Sequence, residues 1–305
     1  MPTLKEIKGR IGSVKSTLKI TSAMKLVSSA KLRKAQRAIE AMRPYEAQLQ
    51  AILASVTPGA DTKTGVSVPE WPENGAADTK EGVSVSGRRV IIAMASNSSL
   101  CGGFNANAVA KVRSVRQPGD VVYSVGRKMA EAMRKDGFPS PADFTTLSEH
   151  PAYAPCAQLA EQLMADESLS QVLLVYNHFV STAKQVPVVE VLLEGRDSLS
   201  SASLRDPVRA NAPERESLPS ESDFIIEPGA KALREMLVPK TLKLKLYSAL
   251  LDSAAAEHAA RTVAMQTATD NGNSLLDELT LQYNKGRQQK ITSEILDLAG
   301  GQIEA

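Results

Sequence analysis

Aromatic residues make up only 4% of this 305-residue chain, and tryptophan occurs once, at Trp71. So few large rings suit extended helices better than a thick globular core. Cysteine is almost as scarce. Cys101 and Cys156 are too few and too far apart for a disulfide framework or a zinc site, and His150, His178 and His258 are scattered, so no metal chemistry is legible. No apolar run reaches the roughly 18 residues that a membrane helix requires, and the opening MPTLKEIKGR lacks the apolar core of a signal peptide. The expected product is soluble and not secreted. No nucleophile elbow or pair of catalytic carboxylates can be read either, which agrees with a non-enzymatic role.

What is present is charge of one sign at one end. Eleven of the 36 Lys and Arg lie in residues 1–45, against Glu6 and Glu40 alone, while the whole chain is only +2. The remainder is therefore net acidic. A basic helix facing it suggests intramolecular pairing or an acidic partner, with a solvated charged face as the plain alternative.

The last third, from about Pro239, reads as one helix of about 60 residues, roughly 90 Å long, with Pro239 in its first turn and Gly300-Gly301 as its stop. Its apolar stripe steps through Leu246, Leu250, Leu276, Leu279, Tyr283, Ile291, Ile295 and Leu298, so one face expects another helix. Between these patches SAAAEHAA, Ser253 to Ala260, has side chains small enough for close backbone approach.

The first helix is expected from Leu4, behind a capping box of Thr3 and Glu6. A seam runs through Leu4, Ile7, Ile11, Val14 and Leu18, turns polar at Thr21, Lys25 and Ser28, and returns at Leu32, Ala35, Ile39 and Met42. In the polar gap Ile20, Met24 and Val27 sit one position earlier, which offers apolar surface outward. A local stutter of the supercoil would read the same way. Pro44 should bend this helix without ending it, and Thr57-Pro58-Gly59 should end it.

Residues 58–88 hold a near-duplicate, DTKTGVSV and DTKEGVSV, read as an exposed inserted linker or local hairpin. From Arg89 to residue 197 strands alternate with helices: strands at Arg89–Ser96, Asp120–Val125, near Ala142–Thr146 and at Gln171–Phe179, with helices at Asn105–Arg116, Arg127–Lys135 and Pro155–Ala165. Such alternation gives a parallel sheet covered by helices. Gln185–Leu193 follows after a connection too short for a crossover, so it should close an antiparallel hairpin. Residues 198–222 read as a surface loop, Phe224–Pro228 as a strand and Ala230–Leu237 as a short helix leading into the long one. SNSSLCGGFN, between the first strand and its helix, has neither the glycine spacing nor the lysine of a phosphate-binding loop.

Several of these stretches resemble one family. EHAARTVAMQTATDN and LTLQYNKGRQQKITSEI, in register on the last helix, and ITSAMKLVSSAKLRKAQ on the first resemble the gamma subunit of rotary (F-type) ATP synthases. GRKMAEAMRKDGF also fits. Leu100 to Asn105 match a family segment that usually begins D-R-G, replaced here by Asn97, Ser98 and Ser99, so contacts made through that charged pair are not carried over.

The resemblance implies an α/β fold: a long antiparallel coiled-coil shaft of residues 1–57 and 223–305, and a Rossmann-like α/β base of residues 89–197. It implies a central-stalk rotor with alpha, beta and epsilon subunits and a membrane rotor ring of c subunits as partners. It implies no cofactor and no nucleic acid, with catalysis on beta. The seat implied is the cytoplasmic face of a bacterial inner membrane, with membrane contact only through the complex. Met24 and Lys25 match a segment implied to lie near an acidic loop of beta. Arg261, Arg287, Gln288 and Thr292 match residues implied to hydrogen-bond to a catch on beta. The hairpin near Tyr176 to Val188 is implied to meet epsilon or the rotor ring.

Two other classes compete. A basic coiled coil binding nucleic acid predicts salt-sensitive DNA or RNA binding through residues 5–43. An enzyme on the α/β domain predicts saturable nucleotide binding near Leu100–Asn105.

Overall fold

A computed structural model describes residues 3–56, 88–149, 151–166, 168–194 and 229–300. The duplicated linker, the loop of residues 198–222 and the strand expected at Phe224–Pro228 lie outside the described residues.

Helix α1 (Leu4–Val56) opens on the expected capping box: Thr3 N donates to Glu6 Oε2 at 2.9 Å and Glu6 N to Thr3 Oγ1 at 3.3 Å. It continues through Pro44, as expected. Among the described residues four strands follow in a single sheet: β1 (Arg88–Met94), β2 (Val121–Val125), β3 (Leu169–Phe179) and β4 (Gln185–Glu194), in the order β2-β1-β3-β4. The first three are parallel and β4 closes the antiparallel hairpin with β3.

Helices α2 (Phe104–Val115) and α3 (Arg127–Lys135) cover one face, where Ile91, Ala93, Val112, Val122, Met129, Met133 and Val175 are buried together. Gly126, at the start of α3, has φ +95°, and a Cβ there would sit 2.1 Å from the Ala95 carbonyl oxygen, so only glycine fits this turn. The other face meets α5 (Tyr153–Ala165) and the long C-terminal helix α6 (Ala230–Gly300) in the largest core, built on Ile92, Leu159, Val172, Leu174, Leu242, Leu246 and Leu250.

Two expectations are corrected. Residues near 142–146 form no strand. Asp143 Oδ1 accepts the Thr145 amide at 2.9 Å and starts a short helix, α4 (Thr145–Glu149), because an aspartate at that position satisfies an orphan helix donor better than a strand would. Nor does the long helix begin at Pro239. It begins at Ala230 and absorbs the short helix expected before it, for 71 residues in all. The hydrogen bond lost at Pro239 is outweighed by packing on either side, where Leu237 and Leu244 bury against Leu49 and Leu53 of α1.

The α1–α6 pair has a legible register. Leu4 meets Gly286, Leu18 meets Gly272, and Thr269 Oγ1 donates to Thr21 Oγ1 at 3.0 Å. Each step up one helix is matched by an equal step down the other, so the two are antiparallel, with two heptads between the leucine–glycine pairs. A Cβ at Gly272 would lie 2.6 Å from Leu18 Cδ2, so this glycine is the hole for that knob. Polar Thr21 and Ser28 keep to the seam, and Ser28 is buried. The apolar stripe does not hold to the end. Ile291 and Ile295 are exposed, because α1 begins at Leu4, opposite Gly286, and nothing described in the chain faces α6 beyond it.

Candidate functional site

The residues singled out in the sequence fall at two levels of the helical pair. Arg287, Gln288 and Thr292 lie exposed on the unpaired end of α6; Thr292 Oγ1 donates to the Gln288 carbonyl of its own helix, at 2.9 Å. Ile291, Ile295 and Leu296 share that end, with Ile295 59% exposed. Over about three turns the helix thus offers apolar and hydrogen-bonding groups to its surroundings together.

Arg261 lies about 40 Å down the axis, 26 residues below Arg287 at 1.5 Å each. At this level Met24 and Lys25 are half-buried on α1, while Ile20, Leu26 and Val27 are exposed, Leu26 at 70%. The outward apolar surface expected from the shifted stripe is present, and Leu26 enlarges it. With Thr21 opposite Thr269, Lys25 and Arg261 are about 6 Å apart along the axis, so Met24, Lys25 and Arg261 share one level of the pair and the upper trio another.

Arg261 differs from the other five in being enclosed by its own chain. Its Nη2 donates to Glu257 Oε1 at 2.8 Å and to Ser98 Oγ at 2.7 Å, and only 8% of the residue is exposed. Burial raises the Glu257 carboxyl above its ordinary range, a larger effect than the lowering by Arg261. The neighbouring His258 imidazole is pushed down to about 4, first by burial and then by Arg261 and Lys31. Its Nδ1 is buried without a hydrogen-bond partner among the described residues.

Ser98 belongs to the loop between β1 and α2, which rests on the small residues of α6. Cys101 and Phe104 pack on Ala256 from one side, while Leu32 of α1 packs on Ala255 and Ala259 from the other. The close approach expected of SAAAEHAA therefore serves two neighbours at once. The loop's polar groups are spent internally. Ser96 Oγ donates to the Ser98 carbonyl at 2.6 Å, Asn105 Oδ1 accepts from Ser96 N at 3.1 Å, and Asn97 Oδ1 accepts the Arg127 amide at 2.9 Å while its Nδ2 donates to the Thr145 carbonyl at 2.8 Å. Asn97 and Ser98, which replace a charged pair, thus tie the loop to α3, α4 and α6. Sequence reasoning missed these ties and the Glu257–Arg261 pair, although the four-residue spacing of the latter on a helix was a usable signal.

At the base of the pair, β3 and β4 carry polar groups to α6. Tyr176 Oη donates to Glu190 Oε1 at 2.7 Å, Lys245 Nζ donates to the Val191 carbonyl at 3.0 Å, and Asp252 bonds both the His178 imidazole and the Phe179 amide.

The sequence model of the family described as ATP synthase matches residues 3–303. The chain is 43% identical to the ATP synthase gamma chain of Phocaeicola vulgatus over 99% of its own length and 100% of the relative's. It is 42% identical to that of Bacteroides thetaiotaomicron over the whole of both. Among solved structures, one chain of the Euglena gracilis mitochondrial ATP synthase OSCP/F1/c-ring assembly in rotational state 3 shares the fold, with a TM-score of 0.68 at 19% identity, covering 98% of this chain and 93% of that one. A chain of the Tetrahymena thermophila mitochondrial central stalk and c-ring gives 0.54 at 20% identity, covering 82% and 99%. With full-length identity above 40% and a helical pair, sheet and loop that agree with it, this chain belongs to the ATP synthase gamma family.

Proposed function

We propose that this chain is the central-stalk rotor of an ATP synthase, coupling ion-driven rotation of a membrane ring to conformational cycling of catalytic beta subunits. It performs no bond chemistry itself. An asymmetric shaft changes the relative energies of beta conformations as it turns, and rotation then drives each site through its affinities. The observation that carries the reading is the registered α1–α6 pair, whose upper end extends past its partner with Arg287, Gln288 and Thr292 exposed.

In this reading residues 1–57 and 223–305 form the shaft, 58–88 a linker, 89–197 the base and 198–222 a surface loop. Alpha and beta subunits surround the shaft, and the epsilon subunit and the c ring meet the base. Met24 and Lys25 face beta at the lower level, and Arg287, Gln288 and Thr292 face it at the upper one. Arg261, enclosed by its own chain, acts on beta by holding Ser98 and its loop in place. No described helix is long and apolar enough to cross a membrane. In this reading the chain sits on the cytoplasmic face of a bacterial inner membrane, peripherally and through the complex.

The test is reconstitution with alpha and beta subunits of the same source, scored for complex formation and ATPase activity against a mixture without this chain. A complex with one copy of the chain and stimulated ATPase is expected. A folded chain that leaves alpha and beta unassembled would overturn the reading.

A further inference from the structure

A shaft can transmit torque only if it cannot turn or slip against its base, and apolar packing alone resists neither strongly. Leucines and alanines on α6 interdigitate with the sheet face and resist a slide by shape, but a repacked apolar contact can regain much of the dispersion attraction it gave up. Polar groups paired at fixed positions cannot slide, because any shift leaves a buried group without its partner.

The α6–sheet interface has two such fixed points, seven residues apart on one face of the helix. At the first, Lys245 Nζ reaches 3.0 Å to the Val191 carbonyl and 3.8 Å to Glu190 Oε2, while Glu190 Oε1 accepts from Tyr176 Oη at 2.7 Å. Glu190 is 4% exposed, and Lys245 and Tyr176 are also buried. At the second, Asp252 accepts the Phe179 amide at 3.2 Å and pairs with His178 Nδ1. Leu246, Ala249 and Leu250 pack between them. Every partner on the sheet comes from the β3–β4 hairpin. Glu190 sits opposite Leu174 in its register, and Tyr176 and His178 follow Leu174 on the same face at the two-residue period of a strand.

We propose that Lys245–Glu190–Tyr176 and His178–Asp252 are two polar bolts that lock the β3–β4 hairpin to α6 against roll and slip, and so carry torque between base and shaft. The two bolts, about 10 Å apart along the helix, define a line, and a helix fixed at two points on one face can neither rotate about its axis nor advance along it. The inference rests on the rotor reading above, and these are positioning residues.

The test uses the assembled complex in vesicles and a double variant, Glu190→Gln with Lys245→Met, which removes the bolt without leaving an unpaired buried charge. Val189→Ala, on the opposite face of the same strand, is the control for ordinary loss of packing. ATP hydrolysis by the complex without its membrane sector is expected to stay near wild type. The ratio of ion pumping to ATP hydrolysed in vesicles should fall several-fold, and in the complex without its membrane sector the angular fluctuation of a bead on the Thr182–Ala183 turn, with the catalytic head stalled, should at least double. The control should change neither. If the double variant does not assemble, Tyr176→Phe and Asp252→Asn together provide the same readouts. An unchanged ratio and fluctuation in either assembled variant would overturn the bolts. A wild-type chain that forms no complex would instead overturn the rotor reading.

Discussion

The lower and upper stretches of α6 belong to one unbroken helix but solve different problems. From Leu237 to Arg261 the helix is enclosed by α1, α5, the sheet and the loop after β1, with Leu246, Ala255, Ala256 and Ala259 almost wholly buried. Above Thr269 it has α1 alone, and past Gly286 no described neighbour. Below, the side chains are committed to the fold. Above, they are left for something outside it, and an apolar residue such as Leu281 stands 71% exposed. Burial, more than residue type, separates what stabilises this chain from what is available to a partner.

Truncation should expose that difference most sharply. Leu246→Ala removes a core side chain and is expected to cost about 2–5 kcal/mol, whereas Leu281→Ala should change the stability of the isolated chain by less than about 0.5 kcal/mol. Urea denaturation of both variants checks the pair, and equal losses would mean the upper helix is packed in solution after all.

Acid should act on the lower region through His258. His258 has a folded pKa of about 4 against an ordinary 6.5, so the unfolded chain takes up its proton first as the pH falls. The stability linked to this group is present above pH 6.5 and drains away down to about pH 4, by up to about 3 kcal/mol. Glu257 works in the opposite sense. Its raised folded pKa gives stability that is full below the ordinary 4.5 and is lost as the pH rises through the raised value. Denaturation midpoints between pH 4 and 7 should therefore slope less steeply in His258→Gln, and an unaltered slope would remove His258 from the account.

The two helix glycines extend the comparison to smaller effects. Gly272→Ala places a methyl group 2.6 Å from Leu18 Cδ2 and should destabilise by about 1 kcal/mol despite its better helix propensity; Leu18→Ala in the same chain should cancel the clash. At Gly286 the nearest atom is Leu4 Cδ2 at 3.1 Å, at the start of α1 where it can give way, so Gly286→Ala should be neutral or stabilise by up to about 1 kcal/mol. Thermal midpoints of the three variants separate these outcomes. Least of all, Arg287→Ala and Gln288→Ala should leave the isolated chain unchanged while slowing ATP hydrolysis once assembled with alpha and beta. Wild-type rates there would show that the exposed end is not the working surface.

Much of this could be read from residue order because helices and strands advertise themselves by period. Thr3 and Glu6 mark one end of α1, and the helices at Arg127 and Pro155 and the β3–β4 hairpin fall within two residues or so of where apolar spacing puts them. The errors lie where tertiary packing outvotes local signals. Pro239 looks like a helix start until Leu237 and Leu244 are seen packed on α1, and the residues around Thr145 look extended until Asp143 is seen capping a helix. Pairing partners were also invisible. Nothing in the spacing says that Gly272 receives Leu18, that α1 stops opposite Gly286, or that Arg261 turns inward to Ser98. These depend on which helix lies alongside, and in what register.

The central claim is that the helical pair turns as a shaft within a ring of alpha and beta subunits. The most direct measurement fixes the ring to a surface, attaches a bead through a cysteine placed at Ala183 in the exposed hairpin turn, and adds ATP. Continuous rotation in one direction, at a rate matched to ATP hydrolysis, is the predicted result. ATP hydrolysis by the assembled complex with the bead fluctuating about a fixed angle would contradict the account.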